Sequence, residues 1–292
     1  MTMAEEQTFK GADGVELYSS CWRPLGEPRA VVTLVHGIGE HSGRYSALVT
    51  RLTAASFAVC AFDHRGHGKS PGRRGHIGSW VEYREDVRAF LAVTAKQFPG
   101  RPMFLYGHSL GALIVTEFII AYPGAELAGL IVSGIPLQPT GVSKPHLVAL
   151  ARGLSRVLPT FSMSLGVDGS RLSRDKEVVR EYDEDPLVHH VGTVRWGAET
   201  LGAIERVKSR ANAIQLPVLI LHGGDDKVNS VEGSKELFEK ISSLDKKLII
   251  YPGGAHEPHN DIDREQVASD VENWLGAHLE KPAERQKPGK TI

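Results

Sequence analysis

A serine held between two glycines joins an apolar run to a helix-like one. Pro102-Met103-Phe104-Leu105-Tyr106 leads into Gly107-His108-Ser109-Leu110-Gly111, and helical patterning follows from Ala112 to Tyr122. On a sharp strand-to-helix turn such a serine keeps its Oγ exposed. The next backbone N–H and the helix N-terminus then favour a developing oxyanion. The glycines let strand, turn and helix close around a strained residue. Ser109 is therefore the candidate nucleophile and the Leu110 N–H a candidate oxyanion donor. A glycine-rich turn without chemistry is the competing reading, and the flanking strand and helix patterns argue against it.

Three further loops end apolar runs and carry the partners that a serine nucleophile needs. Val31-Val32-Thr33-Leu34-Val35 runs into His36-Gly37-Ile38-Gly39, which makes the Ile38 N–H the second oxyanion donor. Val218-Leu219-Ile220-Leu221 runs into His222-Gly223-Gly224-Asp225-Asp226, and Leu248-Ile249-Ile250-Tyr251 into Pro252-Gly253-Gly254-Ala255-His256. In this chemistry a histidine takes the serine proton and returns it to the leaving group, while a carboxylate fixes its tautomer and stabilises the imidazolium. His256 is the candidate base. Two adjacent carboxylates, Asp225 and Asp226, compete for the acid.

These loops need strands to carry them. Residues 7–23 read as a hairpin around Gly11-Ala12-Asp13-Gly14. Strands are then expected near 30–36, 57–63, 102–107, 127–133, 217–222 and 247–251, with helical segments at 44–55, 79–98 and 110–122. The alternation predicts an α/β fold: a mostly parallel central sheet with helices on both faces and functional loops at the strand carboxyl ends. Between 136 and 211 the rhythm breaks, over a stretch too long for one crossover, and this predicts an inserted helical cap. The domain reading is core 1–135, cap 136–211, core 212–279 and a mobile polar tail 280–292. Within the cap, Leu147, Leu150, Leu154 and Val157 recur at helical spacing along one stripe, expected either to wall an apolar channel or only to dock the cap onto the core.

Composition excludes several classes of partner. With 34 basic and 35 acidic side chains the net charge is −1, which leaves no excess to neutralise a nucleic-acid backbone; Arg73-Arg74-Gly75-His76 is too short to alter that. No run approaches the ~20 apolar residues of a membrane span and no signal-like segment is present, so a cytoplasmic protein is expected. Cys21 and Cys60 are the two cysteines, neither in metal or redox spacing, and buried thiols are the default reading, with a disulfide as the alternative if their two strands are neighbours. No His, Cys or carboxylate cluster has ligand spacing, so no metal and no cofactor is expected. His36, His108 and His222 read as hydrogen-bonding residues of glycine-rich loops, and His146, His189, His190 and His278 as surface or cap residues.

The motifs together resemble the monoacylglycerol lipases, within the serine aminopeptidase and lysophospholipase-like branch of the α/β-hydrolases. The resemblance rests on His36-Gly37-Ile38-Gly39-Glu40-His41-Ser42-Gly43-Arg44-Tyr45, Asp63-His64-Arg65-Gly66-His67-Gly68-Lys69-Ser70 and the Gly107 to Gly111 block. It extends into the cap through Leu172-Ser173-Arg174-Asp175 and Tyr182-Asp183-Glu184-Asp185-Pro186-Leu187. It implies an α/β-hydrolase fold with Ser109, Asp226 and His256 as the triad and Ile38 and Leu110 as oxyanion donors. It also implies that Arg44, Tyr182 and His259 lie around the glycerol, although ordinary loop hydrogen bonding and cap packing compete for these three. Glu40 and His41 are read as shaping their loop. The chain departs from the family pattern at Glu257-Pro258-His259-Asn260, where many relatives carry apolar residues.

The activity this resemblance implies is hydrolysis of monoacylglycerols to glycerol and fatty acid through an acyl-enzyme. Lysophospholipase, general carboxylesterase and serine aminopeptidase are the alternatives, and a non-catalytic binding protein the remote one. The expected partner is a small acyl ester. A transient lipid-surface contact through the cap stays open, and no oligomeric state follows.

Overall fold

In a computed structural model, residues 4–139 and 153–279 are described. The positions Leu147 and Leu150 and the tail 280–292 lie outside them. The hairpin forms from β1 (Ala4–Lys10) and β2 (Glu16–Trp22), antiparallel. The remaining central strands are β3 (Ala30–Val35), β4 (Phe57–Phe62), β5 (Met103–His108), β6 (Gly129–Ser133), β9 (Val218–Gly223) and β10 (Lys246–Tyr251). The eight strands lie in the order β1-β2-β4-β3-β5-β6-β9-β10. β2 pairs antiparallel with β4, and every pairing from β4 to β10 is parallel.

Residues of β3 to β6 and β9 are buried throughout, as expected of parallel strands covered on both faces. Successive side chains divide between two cores: in β3, Val31 and Val35 join one cluster and Val32 and Leu34 the other. The first cluster is covered by α2 (Trp80–Gln97), α3 (Leu110–Ala121), α5 (Val194–Arg210) and α6 (Val231–Lys240), through residues such as Phe90, Leu113, Val207 and Leu237. The second is covered by α1 (Ser46–Ala54) and α7 (Arg264–Ala277), through Leu52, Val271 and Trp274. Among the described residues no helix is long and apolar enough to cross a membrane.

The chain between β6 and β9 leaves the sheet. It contains a helical turn at 153–157, the short antiparallel pair β7 (Ser162–Ser164) and β8 (Val191–Thr193), and α4 (Lys176–Glu184), before α5 returns to the core. Asp175 and Thr193 cap α4 and α5 by accepting from the Glu177 and Trp196 N–H groups. Val157, expected on a channel wall, is instead 76% exposed, and Leu154 is half-buried. Helical spacing defines a stripe but not what the stripe faces.

The expectation of two buried thiols is overturned. Cys21 and Cys60 are directly opposed in the β2–β4 register with Cα atoms 4.1 Å apart, and they are joined as a disulfide. The physical cause is the strand order: β2 passes over β3 to lie beside β4, which brings residues 39 positions apart into one cross-strand pair.

Candidate active site

Ser109 stands between β5 and α3 at φ 51°, ψ −116°, a left-handed conformation that costs a non-glycine residue ~1–3 kcal/mol. The turn is enforced by its neighbours. A Cβ on Gly107 would meet the Gly111 carbonyl oxygen at 2.5 Å, and one on Gly111 would meet that of Val35 at 2.0 Å. The Ser109 N–H donates to the Ser133 carbonyl on β6 at 2.8 Å, which pins the elbow to the sheet.

His256 reaches the serine from the loop after β10: its Nε2 lies 3.0 Å from Ser109 Oγ and its Nδ1 2.7 Å from Asp226 Oδ2. An ionised carboxylate only accepts, so Nδ1 carries the proton and Nε2 is free to take one from the serine. Asp225 is exposed and pairs with Lys227, so it is Asp226 that the structure brings to the histidine. Asp226 Oδ1 accepts from the Val228 and Asn229 N–H groups at 2.7 and 2.9 Å. Burial opposes its charge, but His256 and His222 outweigh that and hold its carboxyl well below the usual range. For His256 burial favours the neutral form. The Asp226 charge and hydrogen bond, followed by the charges of Glu257 and Glu40, reverse this and raise its pKa above the ordinary value.

His222, read from sequence as a loop residue, is part of this assembly. Its Nε2 faces two acceptors, Asp226 Oδ2 and the Asn229 carbonyl, each at 3.1 Å, and therefore carries the proton; Nδ1 accepts from Ser234 Oγ at 2.7 Å. The available signal was position: His222 ends β9 four residues before the acid.

The oxyanion loop is equally tied. Gly37 N–H donates to Glu40 Oε1 at 2.6 Å, and Tyr45 Oη donates to the same oxygen at 2.7 Å. A Cβ on Gly37 would lie 3.2 Å from Ser109 Cβ, so the backbone leading to Ile38 runs close beside the nucleophile. The segment 186–193 seats on this loop, with His189 N–H donating to the Gly39 carbonyl at 2.8 Å. His189, read from sequence as a surface or cap residue, is buried, because this seating turns its ring against His67 at 4.6 Å.

Ser109 borders two adjoining spaces. One, of about 340 Å³, is lined by Ile38 and Leu110 at the serine end and by Leu165, Val194, Trp196 and Ile204. The other, of about 30 Å³, shares Ile38, Leu165 and Val228 with the first and adds the polar side chains of Glu40, Tyr182, His189, His190 and Glu257. Of the three residues expected around the substrate alcohol, only Tyr182 lines this pocket beside the serine. Arg44 and His259 do not line it and stand directly behind it, against Glu257 and Tyr45. Arg44 is drawn away by two carboxylates, Glu257 at 2.6 Å and Glu40 at 3.2 Å. His259 is stacked on Tyr45 at 4.4 Å, and burial pushes its imidazole down to about 4. Among the described residues no group of three or more His, Cys, Asp or Glu side chains is placed to hold a metal ion.

The doubly covered, mostly parallel sheet with a strained serine after β5 is the fold of the α/β-hydrolases. Within that class the chain belongs to a defined family: the model described as serine aminopeptidase, S33, matches residues 26–263. The monoacylglycerol lipase of Mycolicibacterium smegmatis is 38% identical over 94% of this chain and 98% of its own length. The monoglyceride lipase of Homo sapiens is 35% identical over 90% of this chain and 88% of its own. The crystal structure of the Paleococcus ferrophilus monoacylglycerol lipase superposes with a TM-score of 0.82 at 38% identity, covering 90% of this chain and 99% of that one.

Proposed function

We propose that this protein is a serine hydrolase of carboxylic esters that cleaves monoacylglycerols to glycerol and fatty acid. The observation that carries the reading is the placing of Ser109 between a cavity of about 340 Å³ walled by apolar residues and a pocket of about 30 Å³ into which Glu40, Tyr182, His189, His190 and Glu257 bring polar groups. A monoacylglycerol has that same division about its ester: an acyl chain that needs a dry channel and an alcohol that needs a few hydrogen-bonding partners. Ser109 Oγ attacks the ester carbon as its proton passes to His256 Nε2, and Asp226 stabilises the imidazolium. The Ile38 and Leu110 N–H groups receive the oxyanion. Collapse breaks the bond to the alcohol, which leaves with the proton from His256. Water then repeats the sequence on the acyl-enzyme and releases the acid.

The polar pocket also speaks against two alternatives. A lysophospholipid would bring a phosphate towards the carboxylates of Glu40 and Glu257. A peptide's free ammonium would need a carboxylate to itself, and these two are already engaged by Arg44. The described residues 163–204 of the insertion act in this reading as the cap over both spaces. The insertion's exposed Val157, Leu158, Phe161 and Met163 form the face that meets a lipid surface, with Met163 also on the wall of the apolar cavity. A panel of monoacylglycerols, diacylglycerols, lysophospholipids, p-nitrophenyl esters and aminoacyl amides tests the assignment. Monoacylglycerols are expected to give the highest kcat/KM, and preference for a lysophospholipid or an amide overturns it.

A further inference from the structure

Arg44 makes an unusual set of contacts for a side chain only 8% exposed. Its fork grips one carboxylate, with Nη1 2.6 Å from Glu257 Oε1 and Nη2 2.9 Å from Oε2, while Nη1 also reaches Glu40 Oε2 at 3.2 Å. Its guanidinium lies over the Tyr182 ring at 4.6 Å. Each carboxylate is in turn fixed to a loop beside the serine. Glu40 holds the Gly37 N–H, one residue before Ile38. Glu257 follows His256 directly, accepts from Asn260 Nδ2 at 2.9 Å, and through its own N–H holds the Leu172 carbonyl at 2.8 Å. An unbroken path of short charged contacts thus runs from the base loop to the oxyanion loop. Stability alone does not account for it, because apolar residues of like volume commonly serve as well or better than a buried ion pair.

We propose that Glu257 is a positioning residue that sets His256 against the oxyanion loop, with Arg44 as the strut between Glu257 and Glu40 rather than a ligand for the substrate. This rests on the reading of Ser109, Asp226 and His256 as a triad with Ile38 as an oxyanion donor. The base must exchange a proton with Ser109 and with the leaving alcohol while the oxyanion stays within reach of Ile38. A displacement of about 1 Å between such groups costs ~100-fold in rate. Hinging two separate loops on one planar, bidentate fork limits that displacement in direction as well as distance. The network also bears on His256 electrically. The groups facing that imidazole are Asp226, Glu257, Glu40, His108 and His259, and among them the three carboxylates favour its charged form.

The test compares two substrates with one acyl group and different alcohols, a 1-monoacylglycerol and the matching p-nitrophenyl ester. In Glu257→Gln, kcat/KM is expected to fall ~10- to 100-fold on both, mostly through kcat. The acid limb of the pH profile is expected to move to lower pH, and a serine-directed phosphonate to label Ser109 more slowly by a similar factor. The double variant Glu257→Gln/Arg44→Met removes the stranded charge, and is expected to melt no lower than Glu257→Gln and to stay slow on both esters. A loss confined to the glyceryl ester, with KM raised, would make the pair a substrate ligand and overturn the proposal. A stable double variant with the parent kcat and pH profile would reduce the network to core filling and overturn it equally. Undiminished turnover in Ser109→Ala is a separate result, which refutes the triad itself.

Discussion

The two sides of Ser109 are built on different terms. Its apolar side is walled by aliphatic and aromatic residues such as Leu165, Val194, Trp196 and Ile204, whose contacts have no fixed direction. Its polar side rests on Glu40, Arg44 and Glu257, side chains buried together and held by hydrogen bonds between defined atoms. A methylene added or removed on the first side changes fit by ~1–3 kcal/mol. Deleting one member of the second leaves a buried charge without its partner, which is far more disruptive than its net contribution suggests. Acyl length is therefore the adjustable property of this site, and the alcohol side the rigid one.

The largest expected effect removes the pivot that both sides share. Ser109→Ala is expected to lose ~10⁴-fold or more in kcat on every ester, with the fold intact by circular dichroism. Ester turnover that survives the substitution would show that the two spaces do not meet at a nucleophile. Next comes the acid. Asp226→Asn is expected to cost ~10⁴-fold through the wrong histidine tautomer, whereas Asp225→Asn, at an exposed ion pair, changes rate little. The reverse ranking in steady-state assays would place the catalytic loop one residue off.

Smaller effects separate the sides. On the polar side, the three carboxylates raise His256, and the base must be neutral to act. The acid limb of kcat/KM is accordingly expected above the ordinary imidazole value of 6.5, and a midpoint below it contradicts the electrostatics. The linked stability has a matching sign. The raised His256 contributes below the ordinary imidazole value, and that contribution is lost as pH rises through its folded pKa. The depressed Asp226 contributes above the ordinary carboxylate value and is lost as pH falls through its own. Melting curves across pH read both. On the apolar side, where Leu201 also lines the cavity, Leu201→Trp is expected to lower turnover of long acyl chains by ~10- to 200-fold and to spare short ones. A uniform loss across a chain-length series would mean that Leu201 only packs the core.

The smallest effect on turnover is expected far from both sides. Cys21→Ser removes a bond that closes a 39-residue separation, and such a bond contributes roughly 2–4 kcal/mol to stability without touching either space. Alkylation of both cysteines in denatured, unreduced protein would show that they are not paired. Disulfides persist in oxidising surroundings, so the same measurement on protein taken directly from cells also tests the cytoplasmic expectation.

Much of the site was legible because its members end strands. Ser109, Asp226 and His256 each follow a strand of the parallel part of the sheet, and in a parallel sheet the carboxyl ends of such strands lie on one edge. Glu257 was visible only as a charge beside the base. Its meaning lies in a partner 213 positions away, Arg44, and no local pattern records that distance. The cap stripe shows a related limit of periodicity. Its member Val157 is exposed, whereas the insertion residues that line the cavity come from 163–204, gathered by the β7–β8 pair and by α5.

By itself the sequence determined the strand and helix alternation, the strained serine turn and the order of the loops that carry chemistry. Each of these follows from backbone sterics and hydrophobic periodicity acting over a few residues. Only the tertiary structure decided that Arg44 braces two loops, that His222 shares the acid's oxygen, that Cys21 meets Cys60, and that the serine sits between a large apolar space and a small one that polar side chains enter. Those outcomes depend on which distant groups are desolvated together. Burial strengthens the electrostatics of charges within a few ångströms of one another, and that proximity exists only once the sheet and its insertion have closed.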